Sequence, residues 1–123
     1  MMFSPILLNA ARAFAMVSFS DGRLSHSEEA RFARMAAAEP TLKTTKQTDV
    51  RTAWKQAVKE VEASQSFGGP LVSIRSEITA PNDKALIMRV AQAAVVADNK
   101  LELQESEAIR SLAEALGLDP EKY

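Results

Sequence analysis

The chain contains no cysteine and a single histidine, His26, in 123 residues. Without thiols there is no disulfide frame, no thiolate nucleophile and no cysteine-ligated zinc, and the cytoplasm is the default compartment. One histidine rules out a multi-histidine metal site within one chain. At the opening of a helix, His26 reads as an exposed residue rather than a catalytic one. Only four glycines occur, and Gly68-Gly69-Pro70 reads as a connector, so no glycine-rich loop is available to cradle phosphate. No serine or threonine stands in a nucleophile elbow. A net charge of −1 excludes nucleic-acid binding driven by phosphate contacts over the whole chain. Long apolar runs are missing as well. The first one, around Ile6–Phe19, is interrupted by Asn9 and Arg12 and has no basic residues before it, so it reads neither as a membrane span nor as a signal peptide.

What remains is ordinary for a water-soluble fold: 46% apolar and 25% charged residues, enough for one domain over 1–123 with its own core. Helical spacing dominates, and the reading is all-α. Ser4-Pro5 is a start signal, with Leu7, Ala10, Phe14 and Val17 forming a stripe that Asp21-Gly22 ends. Ser25-His26-Ser27-Glu28 fits a capping box opening a second helix, which ends before Pro40. Thr41–Gln47 reads as a loop. Val50, Trp54, Ala57, Val58 and Val61 mark a third helix. The cations between Lys43 and Lys59 read as a solvated face, the alternative being an acidic partner. Pro70 is expected at the start of a short fourth helix. Ile87, Val90, Ala91 and Ala94 line a fifth, and Ala108, Ile109, Leu112 and Leu116 a sixth, with Gly117-Leu118 as a Schellman ending. The expected organisation is a hairpin over 4–39, central helices over 46–79 and a second hairpin over 82–118. Two such hairpins, with helices at 5–19, 26–38, 83–97 and 103–116, imply a bundle with an approximate two-fold.

The chain also repeats itself. At a constant offset of 77, Asp21 pairs with Asp98, Arg23 with Lys100, Leu24 with Leu101 and Glu28 with Glu105. Each copy places an Asp at the end of one buried stripe and a Glu in the first turn of the next helix. An antiparallel hairpin turns both carboxylates into one corner, where hard oxygen donors suit calcium or magnesium. The EF-hand is excluded, because Arg23 and Lys100 occupy its third ligand position. Capping offers a plain alternative, with Asp21 making the turn and Glu28 closing the capping box. It accounts less well for the second copy, where Glu102 is a poor N-cap.

The motif small-Asp-Gly-x-Leu-x-x-x-Glu, with a degenerate second copy running into LAEALGLDP, resembles the TerB (tellurite-resistance) family. It is also similar to the N-terminal domain of membrane-anchored DnaJ-like co-chaperones. The resemblance covers about the whole chain, with specific motifs at 18–35 and 94–120. It implies an all-helical bundle, a cytoplasmic stress-associated role and metal-linked acids, which carry over to Asp21, Glu28, Asp98 and Glu105. The chain departs from the family at Asn99, where glycine is lost, and at Ser20, where the family usually has alanine. The leading expectation is a helical module with no enzymatic activity. It would act through an unidentified protein partner, with a divalent-cation site at the four acids, no nucleic acid and no membrane insertion. The alternative is a purely structural interaction domain or homodimer whose acids only cap helices. A metal-dependent hydrolase ranks third, because no nucleophile–base pair is present.

Overall fold

The computed structural model describes residues 5–19, 26–63, 67–98 and 103–123, excluding the side chains of residues 26, 96–98 and 103–104. Six α-helices follow one another: α1 (Pro5–Ser18), α2 (His26–Ala38), α3 (Gln47–Ala63), α4 (Gly68–Glu77), α5 (Pro81–Asp98) and α6 (Leu103–Ala115), with a 3₁₀ turn over Pro120–Lys122. The protein is all-α, with no strand among the described residues. Prolines mark the helix boundaries. Pro5 and Pro81 open α1 and α5, where their missing N–H is no loss, and Pro40 follows the end of α2.

The main departure from the sequence reading is α1. A one-sided stripe was expected; instead every residue from Asn9 to Ser18 is buried. The cause is its position, since α1 packs against all five other α-helices, most extensively α3 and α5. Ala10, Ala11, Ala13 and Ala15 are fully buried, and their small side chains let neighbouring helices approach from several sides. The larger core residues come from α1 itself, Leu7, Phe14 and Met16, and from the helices round it: Phe32 from α2, Trp54 and Val61 from α3, Ile74 from α4, Leu86, Ile87 and Met88 from α5, and Leu112 from α6. Three of the rings form one nucleus. Phe32 stacks on Trp54 at 5.3 Å between centroids, and Phe14 meets Phe32 edge-on at 5.6 Å.

Two helix ends show how local chemistry sets the path. Gly117 takes φ +73° after α6, its N–H donates to Glu114 O at 3.0 Å, and the Leu118 N–H donates to Ala113 O at 2.8 Å. That is the double bond pattern of a Schellman ending, in a backbone region glycine enters without cost. The start of α4 differs from expectation. The helix begins at Gly68, so Pro70 is its third residue, and Phe67 before it adopts φ 59° without a side-chain cap. For a phenylalanine this conformation costs roughly 1–2 kcal/mol. The edge-on packing of its ring on Phe19, at 6.4 Å, helps hold it there.

Candidate functional site

Glu28 and Glu105 are each the third residue of their helix, and α6 begins and ends 77 positions after α2. Carboxylates in a first turn are favoured by the helix dipole, which explains their tolerance there. It does not explain their burial: Glu28 is 7% exposed and Glu105 3%. The residues one and two turns further along α2 and α6 are core residues in both copies, Phe32 with Ala36 and Ile109 with Ala113. Both acids therefore lie on inward stripes, as the spacing predicts.

The two copies differ in sequence one turn after the acid. The Arg31 guanidinium lies one turn after Glu28, with Nη1 3.6 Å from Oε1. The position 77 residues later is Ala108. Asp98 is the last residue of α5, as expected, but its side chain lies outside the described residues. Asp21 and the expected cap Ser25 lie outside them entirely, as does the side chain of His26. Among the described residues, no group of three or more His, Asp or Glu side chains is placed to hold a metal ion. One further hard oxygen is nearby in sequence. The Ser18 hydroxyl, at the end of α1 and three positions before Asp21, is buried and has no hydrogen-bond partner among the described residues.

A second polar cluster was not anticipated. Asn9 and Arg12, the two residues that break the apolar run, are both buried on α1. The Arg12 guanidinium donates to both carboxylate oxygens of Glu60 on α3, Nε to Oε1 at 2.7 Å and Nη2 to Oε2 at 3.1 Å. Its Nη1 donates to Asn9 Oδ1 at 2.8 Å and reaches Glu77 Oε1 on α4 at 3.4 Å. Asn9 Nδ2 donates to that same Glu77 oxygen and to Pro5 O, each at 2.9 Å. Paired forks of this kind are the strong form of the arginine–carboxylate bond. The signal was present in the sequence: two polar residues three apart lie on one helical face. Their partners, 48 and 68 positions from Arg12 and Asn9, had no such marker.

Burial alone would raise the Glu60 carboxyl pKa. The hydrogen bonds from Arg12 and Gln56, together with the Arg12 charge, outweigh it and hold the group below its ordinary value of 4.5. A carboxyl depressed on folding adds stability that is complete well above 4.5 and is lost as the pH falls through and below it. Urea midpoints measured from pH 7 down to pH 3 should therefore show wild type losing its advantage over Glu60→Gln on the acid side. A gap independent of pH would contradict the assignment.

Together these features define a class: an all-α module built round a buried central helix, with a buried acid at the opening of each of two equally spaced helices. Residues 7–123 match the family model described as Tellurite resistance protein TerB, and the chain belongs to that family. No curated protein and no solved structure matches it. Among the described residues, no helix is long and apolar enough to cross a membrane.

Proposed function

We propose that this chain is a cytoplasmic stress-response module of the tellurite-resistance type, without enzymatic activity. It acts through protein contacts and takes a calcium- or magnesium-class cation at Asp21, Glu28, Asp98 and Glu105. The observation that carries the reading is the burial of Glu28 and Glu105 at matching positions of α2 and α6. Carboxylates are seldom this buried, and their recurrence at one helical position 77 residues apart marks both for a shared role. Oxygen donors of this kind suit a hard divalent cation, and the Ser18 hydroxyl adds one more at the end of α1. The Arg31–Glu28 ion pair favours the plainer reading for the first copy, where an internal cation already faces the acid. The second copy is the better test, because Glu102 is a poor N-cap and capping accounts less well for Glu105.

Melting temperatures of wild type should rise with calcium or magnesium over the value in chelator. The shift should be on the order of 10 °C at a cation concentration about 100-fold above Kd. Glu105→Gln keeps the size and one oxygen but removes the charge. It should abolish the cation response while leaving the chelator value nearly unchanged. If wild type itself ignores every cation, the acids are helix caps and the module works without metal. The protein-contact part is tested separately, by looking for stoichiometric co-elution of a tagged chain with a partner from its own cells.

A further inference from the structure

A groove of about 380 Å³ opens between α2, the turns that follow it and the start of α3. Neither Glu28 nor Glu105 lines it. Its floor is small and apolar: Ala33 and Ala36 from α2, Leu42 from the turns, Val50 from α3. Ala36, Leu42 and Val50 belong to the buried core, so the floor is backed by fixed packing. Alanine at successive positions of α2 leaves space that leucine or phenylalanine would have filled. The volume is in the range of ligand-binding clefts and accepts one or two large apolar side chains.

The rim is charged, and the charge is lopsided. Lys43 and Arg51 stand at the groove, with Glu29 3.6 Å from Arg51. Beyond the groove, exposed Lys55 and Lys59 continue from Arg51 at four-residue intervals along α3, with exposed Lys46 at the entry turn. Residues 41–59 hold five cations against one acid, Asp49, a net charge of +4 in a chain of net −1. From Arg51 to Lys59 the stripe runs roughly 12 Å along the helix axis. That exceeds what a small anion in the groove would touch, so the occupant is extended.

We infer that this face docks an acidic amphipathic segment of a partner protein. Its apolar side sits on the alanine floor, and its carboxylates lie over Lys43, Arg51 and the cations that continue along α3. The inference rests on the protein-contact reading above and names the surface and the chemistry of the partner. Helix-in-groove recognition of this type uses apolar anchors at i, i+3, i+4 and i+7. Charge complementarity sets orientation and encounter rate, and it weakens with salt.

The test is fluorescence anisotropy with a labelled helical peptide of about 18 residues, roughly five turns. It carries leucine at i, i+3, i+4 and i+7, glutamate along the flanks and alanine elsewhere. A peptide of the same composition with its leucines dispersed serves as control. Wild type should bind the patterned peptide saturably and the control at least about tenfold more weakly. Lys43→Glu/Arg51→Glu should weaken binding by about tenfold or more. Ala37→Trp, at an exposed groove position, should do the same by filling the space. Should Ala37→Trp lower the melting temperature, Ala30→Trp, also exposed and lining the groove, replaces it.

The inference is overturned by equal binding of both peptides, or by no binding up to about 1 mM. Sensitivity to charge reversal but not to the tryptophan variants also overturns it, because the groove would then play no part. Tighter binding to phosphatidylserine vesicles than to the peptide would make the face a membrane contact. A wild-type dimer in sedimentation that Ala37→Trp dissolves would make the occupant a second copy. A cellular partner that still co-elutes with Ala37→Trp would sink the groove alone. Absence of any partner for wild type would sink the protein-contact reading itself.

Discussion

Phe32→Ala should lower the free energy of unfolding by about 3–5 kcal/mol, the largest single loss expected in the molecule. Phe32 is fully buried where three helices meet. It stacks on Trp54 of α3 at 5.3 Å with 23° between planes and meets Phe14 of α1 at 5.6 Å and 63°. Truncation removes the ring's apolar burial, worth about 2–3 kcal/mol. It also forfeits two aromatic contacts of about 0.5–1.5 kcal/mol each. The site is hard to collapse, because α1 is held on its other sides by α4, α5 and α6. Phe32→Leu retains most of the volume and should lose no more than about 1.5 kcal/mol. Urea unfolding followed by far-UV circular dichroism gives both values. A loss below about 1.5 kcal/mol for the alanine variant would mean that the ring nucleus does not anchor α2.

Arg12→Met should be the second large loss, about 2–4 kcal/mol. Removing one partner of a buried ion pair leaves the others desolvated and unanswered. Asn9 Oδ1 sits on a fully buried residue and loses its donor. Glu60, with its side chain 23% exposed, loses both bonds from the guanidinium. The upper end of the usual range for broken buried pairs is not expected, because Glu77, with its side chain 41% exposed, can turn to water. The diagnostic is a double-mutant cycle. If Arg12 and Glu60 act as a pair, the loss from Arg12→Met/Glu60→Gln should fall well short of the sum of the two single losses. Additive losses would show that Arg12 stabilises only through packing of its stem.

The helices were legible because their signals are local. Prolines at first turns and the spacing of Val50, Trp54, Ala57 and Val61 each act within a few residues, so spacing in the chain reports them directly. The Gly117 ending was equally plain. The all-round burial of α1 was not, because a stripe marks one buried face and says nothing about how many neighbours a helix has. The alanines at 10, 11, 13 and 15 were the available clue, since small apolar residues spread round a helix leave little surface reserved for water. Gly68-Gly69-Pro70 reads as a connector in the sequence yet forms the first turn of α4, because the left-handed backbone at Phe67 starts the helix earlier than turn chemistry signals. For the acids, the repeat led to Glu28 and Glu105, and both are buried as their stripes require. The Arg12–Glu60–Glu77 cluster stayed hidden for the opposite reason: its members come from three helices and meet only after folding.

The placement of α1 also bears on how the chain is made. Synthesis runs from the N-terminal side, so the ribosome delivers the most enclosed helix before its partners. α5, one of its two principal neighbours, begins at Pro81, 63 positions after α1 ends at Ser18. At about 5–20 residues per second, that interval lasts roughly 3–13 s. Throughout it, α2, α3 and α4 emerge, but the faces of α1 that α5 and α6 cover have nothing to close over them. Such a chain is a natural client for a holdase, and a product broken off before α5 would never leave that state.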